Sequence, residues 1–224
     1  MSLRLDWATH KAAKYACENW HYSGCIPKGA LVQIGVWEFD KYIGCVIFGR
    51  GATDRLGSPY GLKNTEVCEL VRIALKKHAA TVSKIISIAI RFLLKSSPNL
   101  KLIVSFADPS EKHNGAIYQA SNWTYSGKSE DCFYPVINGK VTHPRQLSHL
   151  KKSGVIKDRK SVKHIMKPGK YRYLYPLTDD MRVLCKKLAK PYPKRAVSKE
   201  NVAVDYQSAE GGVNPTTALQ TTTD

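Results

Sequence analysis

The sequence predicts an α/β fold, with a mixed central sheet flanked by helices and a basic C-terminal extension. Three observations predict it. Strand-like and helix-like segments alternate between Glu69 and Trp123, the pattern of an α/β core. Residues 30–49 carry two alternating apolar runs joined by the tight connection FDKY, which reads as a β-hairpin. The charge is also skewed along the chain. Residues 140–199 hold 18 Lys and Arg against three acids, so about +15 of the formal net charge of +17 lies in that stretch.

The elements follow in order. The N-terminal stretch MSLRLDWATHKAAKYACENW reads as an amphipathic helix, with Ala12, Ala13, Ala16 and Trp20 at helical spacing. WHYSGCIPKGA breaks it with two glycines and a proline. ALVQIGVWEFD and YIGCVIFGRGA form the hairpin, and VCELVRIAL is a third strand. SKIISIAIRFLLKSS is a helix with an apolar face, capped by Ser83 and stopped by Pro98. LKLIVSFAD is an apolar run suited to the buried middle of a mixed sheet. A turn and a helix follow in PSEKHNGAIYQASNW. TYSGKSEDCFYPVING and KPGKYRYLYPL supply further strands around a short basic helix, and residues 181–190 make one more helix.

Length and composition fit one domain over residues 1–196, with a basic half at about 140–196 and a disordered polar tail at 197–224. No apolar run reaches the roughly 20 residues that span a bilayer, and no signal peptide is legible. The expected location is cytoplasmic, with no membrane partner. The six cysteines include no CxxC pair and read as reduced thiols, several of them core filler. Cys25, in a loop beside His21, could alternatively be a nucleophile.

The basic excess predicts double-stranded DNA as partner, because each cation on a phosphate releases condensed counterions. Arg145, Lys151, Lys152, Lys157, Arg159, Lys160, Lys163 and Arg172 are the candidate phosphate contacts. Phosphate contacts position a protein without specifying sequence. A homodimer would suit a palindromic or extended DNA site. In ELVRIALKKHAATVSKIIS a strand feeds a basic turn that opens a helix, where free N–H groups can hold an anion. Lys84 and Ser83 belong to that candidate cofactor site. Arg72 joins them as a cation in an apolar strand, sharing one face with Leu70, and Ser105 is a weaker member.

HNGAIYQASNW resembles a helix of the GCN5-related acetyltransferase superfamily through Asn114, Ala116, Tyr118 and Trp123. The resemblance implies an acyltransferase-like fold, an acetyl-CoA or other acyl donor, and Tyr118 as general acid. The basic turn carries less glycine than that superfamily's loop. WHYSG, FGRGA, ELVRIAL, SKIISIAIRFL, SFADP and GAIYQASNWTYSG, in this order, resemble the Mom family of phage DNA-modification proteins. That resemblance implies addition of a carbamoylmethyl (acetamido) group to adenine N6, which protects phage DNA from restriction in the host cytoplasm. It carries His21, Tyr22, Asp108 and Tyr118 across as catalytic positions. It also implies iron, for which His21, Asp108 and Tyr118 would be the N and O donors. Tyr22, Trp20 and Tyr125 could stack on an extruded base. Read without the resemblance, His21 is a hydrogen-bonded loop histidine and Asp108 a turn carboxylate before Pro109. Two other functions remain open on sequence: an acyl-CoA-dependent N-acetyltransferase of a small amine or protein, and a non-catalytic DNA-binding protein on the same fold.

Overall fold

The computed structural model describes residues 2–142, 144–156, 158 and 162–194. Lys157, Arg159, Lys160, the side chain of Arg145 and the tail from residue 197 lie outside the described residues. The chain opens not with one long helix but with a strand, β1 (Leu3–Trp7), followed by α1 (His10–Trp20). Leu3, Leu5 and Trp7 alternate, and β1 pairs antiparallel along β2 (Ala30–Glu38), which buries Leu5. Thr9 ends the strand and caps α1, accepting from the backbone N–H of Ala12.

The predicted hairpin forms from β2 and β3 (Lys41–Gly49). β4 (Val67–Leu75) extends the sheet antiparallel to β3. α2 (Val82–Ser96) starts one residue before the expected cap. Thr81, in extended conformation, is the N-cap, and Ser83 instead lies inside the first turn. β5 (Leu102–Ala107) then returns parallel to β4. α3 (Ala116–Gln119) is a single turn, between Gly115 and Asn122, which both adopt positive φ. Next come β6 (Thr124–Lys128), β7 (Cys132–Ile137), β8 (Lys140–Val141), α4 (Leu147–Lys152), β9 (His164–Lys167), β10 (Tyr171–Pro176) and α5 (Asp179–Leu188).

The main sheet runs β1-β2-β3-β4-β5-β10-β6, so the expected mixed sheet is present. The basic stretch contributes to its interior, because β10 inserts between β5 and β6 and buries Tyr173 and Leu174. One face is covered by α2, whose Ile85, Ile86, Ala89, Ile90 and Leu93 pack on the sheet. On the other face α1 sets Ala13, Ala16 and Cys17 on Cys45, Ile47 and Ala74. There α5 sets Met181 and Cys185 on Val67, Leu102, Val104 and Leu174. A smaller sheet, β8-β7-β9, continues the β6/β10 pair beyond a kink. At the kink Asp131 accepts from the Gly169 N–H at 2.8 Å, the Ser129 N–H donates to the Lys170 carbonyl at 2.9 Å, and the Lys170 N–H donates to Ser129 Oγ at 2.9 Å. Glycine is required at 169, where a Cβ would sit 1.8 Å from the Ser129 carbonyl oxygen.

Candidate active site

The site begins with a bulge. Leu70 pairs with Phe48 and Arg72 with Ile47, which leaves Val71 as an extra residue in β4. The extra residue reverses the alternation. Leu70 faces α2, whereas Arg72 faces the α1 side, so the two do not share a face as the simple alternation predicts. The Arg72 guanidinium folds onto the bulge, donating to the Val71 carbonyl at 2.9 Å. The same place ends the parallel pairing. β4 and β5 are in register only from Val67 to Glu69 and from Leu102 to Val104, and beyond it they part.

His21 and Tyr22 follow the end of α1. The Ser23 N–H donates to His21 Nδ1 at 3.1 Å, so the imidazole proton sits on Nε2. Burial, followed by the charges of Arg72 and His113, pulls the His21 pKa down to about 4, and the ring is neutral at pH 7. Tyr22 is 53% exposed and stands between two imidazoles, His21 at 4.2 Å and His113 at 5.4 Å between ring centroids.

Asp108 leaves β5 at its C-terminal end, where α/β sheets place ligand sites. One carboxylate oxygen accepts from the Ser110 N–H at 3.0 Å, and the other pairs with Lys170 Nζ at 3.2 Å. Burial pushes this carboxyl up, but the Lys170 charge and hydrogen bond, with Ser110, outweigh it and hold Asp108 below the usual carboxylate range. Asp108 and Lys170 line a cavity of about 320 Å³, together with Glu69, Phe106, Tyr134 and Lys167. Lys167 lies over the Tyr134 ring at 5.3 Å.

Tyr118 is on the opposite face of the sheet from this cavity, packed in the α2 core. Its hydroxyl reaches the parting of the strands. The Tyr118 O–H donates to Ser105 Oγ at 2.7 Å, and Ser105 in turn donates to the Leu70 carbonyl at 2.8 Å. Burial pushes the Tyr118 phenol up to about 12, which keeps its proton in place at neutral pH. Tyr22 is the common neighbour, within electrostatic reach of Tyr118, Asp108 and Lys170. Ser105 is fully buried, so it holds Tyr118 rather than facing a ligand. Ser105→Ala is expected to cost about 1–3 kcal/mol by stranding the Leu70 carbonyl and the Tyr118 hydroxyl. A urea melt of the purified protein reads that loss.

The other predicted cofactor contacts lie elsewhere. Ser83 and Lys84 line a second cavity of about 360 Å³ on the α2 side, with Ser121, Asn122 and Trp123. In the turn before α2 the N–H groups of Ala79 and Ala80 donate to the buried Glu38 carboxylate at 2.9 and 2.7 Å. These bonds, the Ala79 one foremost, hold Glu38 below the usual range against the opposing effect of burial. The Ala79 and Ala80 N–H groups are therefore not free to hold a CoA diphosphate. What stays open to an anion is the first turn of α2, which has neither an acid nor a side-chain cap.

The described residues give no support to the expected iron site. Both Asp108 oxygens have partners, Ser110 and Lys170, and the Tyr118 hydroxyl is hydrogen-bonded to Ser105. Among the described residues no three His, Cys, Asp or Glu side chains converge on a point. Of the predicted phosphate contacts, Lys151 and Lys152 are exposed on α4 and Lys163 is exposed before β9. Arg172 is half-buried in β10 opposite Phe106, away from that surface. All six cysteines are free, with Cys25 and Cys132 exposed. Trp20 packs against Tyr42 at the α1 cluster, and Tyr125 packs against Tyr171 and Tyr173. Sequence reasoning missed Lys170, His113 and Glu38. Only Lys170 had a local signal, as the residue that follows the Pro-Gly turn into β10.

A sequence model of the Mom protein family matches residues 2–194. The chain belongs to the Mom protein family. Membership covers more than the segment from Trp20 to Gly127 that carried the resemblance, and it takes in β10 and α5. The methylcarbamoylase Mom of Escherichia phage Mu is 27% identical over 203 residues, covering 86% of this chain and 84% of that protein. Solved structures similar to this Mom-family chain include an acetyltransferase of Bacillus subtilis in complex with CoA. It is 14% identical, with a TM-score of 0.43 over 79% of this chain and all of that one. An aminoglycoside acetyltransferase with coenzyme A and kanamycin is 11% identical, with a TM-score of 0.44 over 82% and 99% of the two chains. Among the described residues no helix is long and apolar enough to cross a membrane.

Proposed function

We propose that this chain transfers a carbamoylmethyl group to N6 of adenine in double-stranded DNA, the modification that shields phage DNA from restriction in the host. The observation that carries this reading is the exposed Tyr22 ring within electrostatic reach of Asp108 and Lys170, which line the cavity, with Asp108 ionised. Stacking on an aromatic ring contributes about 1–3 kcal/mol per base, so Tyr22 can retain a base taken out of the duplex. The N6 amine is a poor nucleophile because its lone pair is delocalised into the ring. The transfer forms one N–C bond and releases one N6 proton. Asp108 accepts that proton, and the leaving group departs from the donor with the bonding electron pair. Tyr118 supplies the leaving group's proton, and His21, neutral with its proton on Nε2, donates a hydrogen bond to the base. Lys151, Lys152 and Lys163 hold phosphates. The relative's name, methylcarbamoylase, supports the transfer, and the basic stretch supports the nucleic-acid substrate.

The test is expression in bacteria, digestion of the cellular DNA to nucleosides and mass spectrometry. A deoxyadenosine heavier by one acetamido group is expected. Unmodified DNA from cells holding folded protein would remove the proposal. Lys170→Met sharpens it through pH. Without the ammonium, burial is opposed only by the Ser110 hydrogen bond, and the Asp108 pKa rises. The acidic limb of the pH–activity profile then moves to higher pH. Because the native Asp108 pKa is depressed, its stabilising effect is present above the unfolded carboxylate pKa and is lost as pH falls through the folded value. Acid melts of Lys170→Met should show less of that loss than wild type.

A further inference from the structure

The kinked ribbon of β7 and β9 has two chemically different faces. On the inner face Cys132, Tyr134 and Lys167 line the Asp108 cavity. The intervening residues point outward. Phe133 and Met166 are direct cross-strand partners, and each is 63% exposed. Two large apolar side chains side by side in water are an unusual feature in so basic a part of the chain. Residues 140–170 hold ten Lys and Arg against one acid, Asp158. Within that stretch Lys140 pairs with Ile137 in β8, and the Lys163 carbonyl accepts from the Val136 N–H at 2.8 Å, so both are fixed to the ribbon. β9 is an edge strand of the small sheet.

Apolar side chains on a basic β-ribbon match one ligand chemistry in particular. Proteins that kink duplexes insert Phe, Leu, Ile, Met or Pro between base steps while cations hold the flanking phosphates. We propose that the Phe133–Met166 pair is a wedge that enters the base stack of double-stranded DNA beside the target adenine. The wedge holds the step open while the extruded nucleotide passes the β9 edge into the cavity on the ribbon's other face. The inference rests on the reading of DNA as substrate and names the element that opens it. An anionic membrane also attracts cations beside apolar groups. DNA is favoured because alternate residues of the same two strands line the cavity.

Two readouts test the wedge. The first is permanganate reactivity of unstacked thymines in plasmid DNA bound by the purified full-length protein, which depends on no donor and no chemistry. Wild type should create reactive thymines, Phe133→Ala/Met166→Ala should abolish them while still binding plasmid, and Phe133→Leu/Met166→Leu should restore them. The second is the modified nucleoside formed in cells, which should fall about tenfold in the alanine pair and recover in the leucine pair. Both sites are exposed, so thermal melts of all three proteins should coincide. Thymine reactivity in the alanine pair equal to wild type overturns the wedge. So does plasmid binding by wild type without unstacking, or retention of wild type but not the alanine pair on phosphatidylserine vesicles with no such difference on DNA. If wild type unstacks DNA but forms no modified nucleoside, the wedge stands and the proposed transfer fails.

Discussion

Asp108→Asn is expected to reduce DNA modification by about 10²–10⁴-fold, the usual contribution of a positioned general base. The substitution is nearly isosteric. Its amide oxygen can still accept from the Ser110 N–H, so the turn after β5 keeps its cap. Basicity is what disappears, together with the ion pair to Lys170. Lys170 is only partly exposed, so losing its partner costs some stability without unfolding the chain. Nucleoside mass spectrometry on DNA from cells expressing the variant, paired with a thermal melt of the purified protein, separates the two effects. Wild-type modification by Asp108→Asn would take Asp108 out of the proton-accepting role. Asp108→Ala is the less informative change, since it also removes the cap.

Much of this site was legible in the sequence, and the parts that were not share a physical cause. Alternation is a local signal, so the β2/β3 hairpin and the full extent of β4 were readable from it. A bulge breaks alternation without marking the sequence. Leu70-Val71-Arg72 reads as a regular strand, yet the inserted Val71 sends Arg72 to the α1 face, towards His21. β1 was absorbed into the helix reading because five residues of alternation beside eleven of helical spacing are outweighed. The position of β10 between β5 and β6 is a long-range pairing, and no local pattern specifies it. That pairing is what brings Lys170 to Asp108. One cation among 18 cannot be singled out by composition when the partner is 62 residues away in the chain. Tyr118 was found from its motif, but its orientation was not. The motif places it one turn into α3, whereas its reach to the split depends on Ser105, thirteen residues earlier.

Trp123→Ala is expected to cost about 3–5 kcal/mol, the range for truncating a fully buried aromatic. Trp123 is 0% exposed, with the Tyr118 ring at 5.1 Å and the Tyr175 ring at 5.2 Å. Its backbone carbonyl accepts from the Tyr192 hydroxyl at 2.8 Å, which ties the segment after α5 to the α2 side of the sheet. Native domains are stable by only about 5–15 kcal/mol, so this one change removes a large share of the total. In a domain of this size the loss corresponds to a fall in Tm of about 10 °C, measurable by calorimetry. The indole N–H has no hydrogen-bond partner among the described residues, so the penalty is one of packing and cavity rather than of a lost polar contact. Trp123→Phe should accordingly be much milder, because it keeps an aromatic ring against Tyr118 and discards the unsatisfied donor. The comparison bears on activity as well. Trp123 packs against the ring whose hydroxyl Ser105 holds at the split between β4 and β5. A cavity behind that ring lets the Tyr118 hydroxyl leave its partner. Trp123→Ala should therefore lower modification even at temperatures where the protein stays folded, while Trp123→Phe should not.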